Sequence, residues 1–261
     1  MSFFSGIRIA VLPVMCGIVA GMFMSACVSA KVREYRAEVV GEYPHDPAAY
    51  TQGLFFNDGQ LYESTGTYGR SSFRKVDLTT GKVLEKIDFS KKYFIEGSAM
   101  MGGNLYLLTW TSKVAFIYDA ATLEYVSTYS YPRQGWGLTT DGTRLIASDG
   151  SSTLYFMDGA FSVTRRLTVR LNGRPIRLLN ELEYVDGKIW ANVYTADLIL
   201  IIDPATGNVE ATVDASGLLP AGLRTEDTDV LNGIAYDEKT GKIYLTGKNW
   251  PRLYEIRLTE K

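Results

Sequence analysis

The chain has 261 residues, 27 basic and 29 acidic side chains, a formal net charge of −2 and 17 tyrosines. That length suits one large domain whose core needs no disulfide for its stability. No basic patch points to nucleic acid, and no acidic block suggests a charged tail.

Residues 1–30 read as a secretory signal: Arg8 precedes an apolar run from Ile9 to about Ala26, and small residues follow. Two processing sites stay open. Met24-Ser25-Ala26-Cys27 resembles a bacterial lipobox, with Cys27 lipidated; Val28-Ser29-Ala30 suits ordinary signal peptidase. Either removes Cys16 and leaves no pair of cysteines to bridge. The expectation is export, to a bacterial periplasm or to a lipid anchor at Cys27 facing it.

Glu34 to Tyr43 alternates loosely and reads as a strand, and Pro44-His45-Asp46-Pro47 turns into a hairpin. That hairpin recurs. Phe94 to Trp110 is its clearest copy, two apolar runs around Gly102-Gly103. The first apolar residues after the turn are Leu61, Leu105, Leu145, Ile189 and Ile243. A third strand follows each hairpin: Phe73 to Leu78, Val114 to Asp119, Leu154 to Asp158, Leu198 to Asp203, Arg252 to Leu258. Fourth strands are Lys82 to Ile87, Tyr125 to Tyr131, Val163 to Val169 and Val209 to Val213. The fifth copy lacks one, and the N-terminal strand Glu34 to Val40 is spare to supply it. Four-stranded repeats of roughly 40 to 50 residues predict an all-β fold, a five-bladed β-propeller over 31–261 closed by the N-terminal strand. The competing fold is a β-sandwich with accidental spacing. Asp119, Asp149 and Asp203, near strand ends, read as turn-formers.

Two sets of positions carry the functional argument. Nine residues before the anchors stand Gln52, Glu96, Trp136 and Asn180, with Asn232 equivalent in the fifth copy, whose turn is longer. Five residues after them stand Gly66, Trp110, Gly150, Tyr194 and Lys248. The start of one hairpin strand and the end of the next lie at the same end. Hairpins around one axis therefore gather both sets on one face, and the glycines leave room. Gathering groups costly to bury, such as Glu, Asn, Gln and Lys, predicts a site. Loops Phe89–Tyr93, Leu171–Leu179 and Leu218–Val230 precede first strands and are expected at its rim.

Pro44-His45-Asp46, Tyr50-Thr51-Gln52-Gly53-Leu54, Leu108-Thr109-Trp110, Gly135-Trp136-Gly137-Leu138-Thr139, Leu179-Asn180-Glu181-Leu182-Glu183-Tyr184, Leu231-Asn232-Gly233-Ile234 and Leu245-Thr246-Gly247-Lys248 together resemble the plant and bacterial type of glutaminyl-peptide cyclotransferase. The likeness runs in order from about residue 41 to 256. It implies a five-bladed propeller that converts N-terminal glutamine to pyroglutamate and releases ammonia. It also implies Gln52, Glu96, Trp110, Trp136, Asn180 and Lys248 as site members. The sequence departs from the family where Tyr194 replaces a usual Trp, Ile95 a common Gly and Gln134 a common Glu.

Cyclisation needs the α-amine to attack the γ-carboxamide, and ammonia leaves only when protonated. Glu96, among apolar neighbours, is the expected general acid/base; the alternative is a structural pairing with Lys248. Gln52, Asn180 and Lys248 would donate to the developing oxyanion, or the two amides hold turns. Trp110, Trp136 and Tyr194 would clasp the glutamine, or belong to the core. Asn232 and Trp190 read as structural and Trp250 as rim. His45 is the only histidine and no cysteine follows Cys27, which leaves no zinc site, Ser-His-Asp triad or Cys-His dyad. No metal or cofactor is expected. The expected partners are peptides or proteins with N-terminal Gln, bound by a monomer. Competing functions are a calcium-dependent propeller hydrolase or lactonase using Glu96, Asn180 and Asn232, and a non-catalytic peptide-binding propeller.

Overall fold

The computed structural model describes residues 1–3 and 31–261; the expected processing sites and both cysteines lie outside them. The domain Lys31–Lys261 is all-β and propeller-like, with one 3₁₀ turn at Ala221–Leu223. Antiparallel four-stranded sheets follow one another along the chain. The first is Thr51–Asn57, Gln60–Thr65, Ser72–Val76 and Val83–Asp88. The second is Ile95–Met101, Asn104–Thr109, Val114–Asp119 and Tyr125–Ser130. The third is Leu138–Thr140, Leu145–Ala147, Thr153–Met157 and Val163–Thr168.

The fourth and fifth copies share one eight-stranded sheet. Leu179–Val185, Lys188–Val193, Leu198–Ile202 and Val209–Asp214 form one half; Leu231–Asp237, Lys242–Gly247 and Arg252–Glu260 belong to the other. The N-terminal strand Arg33–Pro44 joins them. It pairs antiparallel along Arg252–Glu260, as the spare strand was expected to, and its first residues also run parallel to Val209–Asp214.

Burial explains the strand composition. Inner strands such as Asn104–Thr109 are buried on both faces, so their apolar residues run on without alternation. Outer strands such as Val83–Asp88 are exposed and carry charge. Each apolar cluster lies between consecutive copies. Phe55 and Phe73 pack with Leu105 and Phe116; Tyr106 and Ile117 with Leu145 and Met157; Phe156 and Leu167 with Ile189 and Leu200. Trp190 and Val213 pack with Leu245 and Trp250, and Ala235 and Tyr244 return to Leu54 and Leu61.

Two expectations are corrected here. The third copy's first strand begins at Leu138, so Trp136 lies in the preceding loop. Its carbonyl is taken by the Gly97 N–H of the neighbouring copy at 2.7 Å, while its own N–H still reaches Ser148 O at 3.2 Å. Trp250 is core rather than rim: its indole fills the space beside Gly247, and its N–H donates to the Asp229 carbonyl at 2.9 Å.

Candidate active site

Backbone irregularity aims the first set of residues. Strand register shifts across Thr51/Gly53, Ile95/Ser98, Leu179/Leu182 and Leu231/Ile234. Gln52, Glu96, Asn180 and Asn232 therefore sit on β-bulges, which free a side chain from the ladder and turn it toward the axis. The following residue is glycine in four copies. At Gly97 and Gly137 a Cβ would come within 2.3 Å and 2.1 Å of the next copy's backbone. Side chains from the second strands complete the seam: Ser64 Oγ donates to Glu96 O and Ser148 Oγ to Asn180 O, both at 2.7 Å, while Asn192 Oδ1 accepts from Gly233 N at 3.1 Å.

The second set follows the second strands. The N–H groups of Gly66, Trp110, Tyr194 and Lys248 donate to the carbonyls of Tyr50, Phe94, Leu178 and Val230 at 2.8–3.0 Å. Both sets thus meet at one end of the domain. Gln52, Glu96, Asn180 and Lys248 line one cavity of about 190 Å³, walled by Trp110, Trp136 and Tyr194. Tyr50 and Phe94 complete the wall, so every expected site residue is gathered there. None of the three expected rim loops lines it. The last of them instead brings Asp229 Oδ2 to the Tyr50 hydroxyl at 2.6 Å. Asn232 stays outside, its Nδ2 donating to Thr51 O at 2.9 Å and to Gln52 Oε1 at 3.4 Å, which leaves the Gln52 amide N–H groups for the cavity.

The two glycines of the second set do not leave space for a substrate. A Cβ at Gly66 would strike the Phe94 ring at 2.2 Å, and one at Gly150 the Trp136 ring at 2.7 Å. They admit the aromatic walls. Trp136 meets Tyr194 edge-on at 5.5 Å, and Phe94 meets Trp110 at the same separation. Gln134 Oε1 accepts from both indole N–H groups, at 3.0 Å and 3.1 Å, and fixes the two rings relative to each other.

Glu96 is buried, and burial pushes its carboxyl well above the usual carboxylate range, the Lys248 charge opposing it. Burial pushes the Lys248 ammonium down, with Glu96 and Asp229 acting the other way. The two are linked through the field, without a direct ion pair; Lys248 Nζ lies over the Tyr50 and Tyr194 rings at 4.9 Å and 5.1 Å. The alternative reading, a structural Glu96–Lys248 ion pair, is therefore not the arrangement found. A carboxyl raised by burial next to a cation lowered by burial, in an aromatic pocket, is suited to proton transfer.

The glutamine cyclotransferase family profile matches residues 12–258. A glutaminyl-peptide cyclotransferase of Arabidopsis thaliana is 47% identical over 232 residues, covering 85% of this chain and 71% of its own. The chain belongs to the glutamine cyclotransferase family. The crystal structure of Myxococcus xanthus glutaminyl cyclase superposes with a TM-score of 0.83 at 38% identity, covering 88% of this chain and all of that one.

For this cyclotransferase-family chain, sequence spacing missed Tyr50 and Phe94. A signal was present: both stand two residues before the first set, where the second-set N–H groups dock. Glu181 and Glu183 were missed as well. Glu181 stands where other copies have glycine; its carboxylate accepts from Leu54 N at 3.3 Å and Ile234 N at 2.9 Å. Glu183 accepts from Tyr236 N at 2.9 Å, and burial pushes it up to about 8. A larger hollow of about 360 Å³ opens at the turn end, among Asp58, Asp141 and Lys239. It is wider than the aromatic cavity, but the bulged residues do not reach it. Among the described residues, no three His, Cys, Asp or Glu side chains come together as metal ligands, and of the calcium reading's Glu96, Asn180 and Asn232 the last does not line the cavity.

Proposed function

We propose that this chain is a glutaminyl-peptide cyclotransferase that closes an N-terminal glutamine into pyroglutamate and releases ammonia. The observation that carries this is the buried Glu96 carboxyl, raised by burial, beside Lys248 in an aromatic cavity of about 190 Å³. That volume falls below the ~300 Å³ floor of ordinary ligand pockets, so it takes one residue and leaves the rest of a peptide outside.

Trp110, Trp136 and Tyr194 hold the aliphatic part of the glutamine folded, which makes attack within one residue a matter of orientation. The neutral α-amine attacks the γ-carbonyl carbon and a C–N bond forms. Gln52, Asn180 and Lys248 donate to the oxygen as it takes negative charge. Glu96 gives its proton to the departing nitrogen and regains one from the attacking nitrogen. The carbon–nitrogen bond of the carboxamide breaks, ammonia leaves, and Glu96 is again neutral. This step uses no metal: the cavity presents one acid, two amides and a cationic amine.

Clusters that join each copy to the next, the last returning to the first, support a ring of five blades. We read the enzyme as an exported monomer acting on N-terminal Gln of peptides and proteins, from a signal over residues 1–30 with Cys27 as a possible lipid site. Incubation with a Gln-Ala peptide should yield stoichiometric ammonia and an N-terminus blocked to sequencing. A Glu-Ala peptide should remain unchanged. No ammonia from the glutamine peptide would overturn the proposal.

A further inference from the structure

The aromatic wall continues out of the cavity. Phe94, locked over Gly66, meets Trp110 on one side and Tyr68 on the other, each ring centroid 5.5 Å away. Trp110 and Tyr68 are 36% and 48% exposed, high for large rings beside a site. An isolated exposed ring needs no explanation, but this one is built in place. The Tyr68 hydroxyl bonds Thr111 Oγ1, next to Trp110, at 2.9 Å. Ser71 Oγ donates to Thr67 O at 2.9 Å and accepts from Ile95 N at 3.1 Å, tying the Tyr68 turn to the strand that carries Glu96. Thr67 is held at φ 95°, a region costly for a β-branched residue and one that folds tolerate where a site needs a side chain placed.

Resting on the activity proposed above, we infer that Tyr68, Phe94 and Trp110 form a subsite for the side chain of the residue after the N-terminal glutamine. The cavity is filled by the glutamine itself, so the next residue must cross its rim. On this side the rim is a fixed strip of aromatic surface, which suits a large apolar or aromatic side chain. Leu178, 41% exposed, stands on the far side, where its N–H donates to Gly150 O, and serves as the control.

The test compares kcat/KM, by ammonia release, for Gln-Phe, Gln-Leu and Gln-Ala peptide amides of equal length. One edge-to-face aromatic contact favours Gln-Phe over Gln-Ala by about threefold to tenfold. Tyr68→Ala should abolish most of that ratio and leave the Gln-Ala rate unchanged; Tyr68→Phe should keep it. Equal kcat/KM for all three peptides, or a ratio abolished by Leu178→Ala and kept by Tyr68→Ala, overturns the subsite while the activity stands. Ammonia from none of the peptides overturns the activity and the subsite with it.

Discussion

Replacing Glu96 by Gln should separate activity from stability, in opposite directions. The amide keeps the shape and hydrogen-bonding capacity of the carboxyl but carries no proton to give at neutral pH. General acid–base catalysis contributes on the order of 10²–10⁴ in rate, so kcat should fall by at least about 10² with KM little changed. Stability follows from linkage. The buried carboxyl is raised well above 4.5, so between these values the folded state holds a proton that the unfolded state has released. Folding stability then falls as pH rises, by about 1.4 kcal/mol for each pH unit across that window. Glu96→Gln removes this loss, and the variant should be at least as stable as the parent at pH 7. In a domain of this size ~1 kcal/mol moves Tm by about 2–4 °C. Ammonia release measures the first effect, and melts at pH 5 and pH 8 measure the second. The gap between variant and parent should widen at pH 8. A variant that keeps most of its kcat refutes the proton-transfer role. One that melts well below the parent at pH 7 shows that Glu96 is held as a structural carboxylate.

Deleting residues 33–44 should expose the full edge of Arg252–Glu260, to which that strand pairs, and give aggregation or a large drop in Tm by calorimetry. His45 donates to Trp250 O at 2.6 Å and to Glu63 at 3.0 Å; burial lowers its pKa, but Glu63 and the carbonyl outweigh this and leave it raised. The stability it contributes is therefore complete below ~6.5 and lost as pH rises through the raised value, and His45→Gln, leaving Glu63 buried, should cost about 3 kcal/mol in urea melts at pH 6. Dialysis against a chelator should leave ammonia release unchanged; a loss restored by zinc or calcium would refute the metal-free mechanism.

The fold was legible because inner and outer strands differ in composition. Runs such as Asn104–Thr109 are buried on both faces, whereas Val83–Asp88 faces solvent, and that contrast recurs in register. The site was legible because bulges fall at equivalent places in the repeats, so spacing alone collected Gln52, Glu96 and Asn180. Spacing could not show what fills a glycine. Gly66 and Gly150 read as open space, yet each is a seat for a ring from elsewhere in the chain. Trp250 read as rim because it follows Lys248 closely; an adjacent turn, closed by its N–H to Gly247 O at 3.2 Å, folds it back into the core.

Glu181 shows how contact between the copies bears on the chemistry. The four glycines after the site residues let neighbouring backbones approach, and they add no side chain to the axis. In the fourth copy Glu181 occupies that place and takes backbone N–H groups from the first and fifth copies at once. Its side chain is buried where those three copies meet, 1% exposed. Glu96 itself is buried, in a cavity walled by Tyr50, Phe94, Trp110, Trp136 and Tyr194. Burial is the largest cause of the raised Glu96 pKa, so the close packing of the copies, in which Glu181 and the four glycines take part, bears on the group that is to carry the proton.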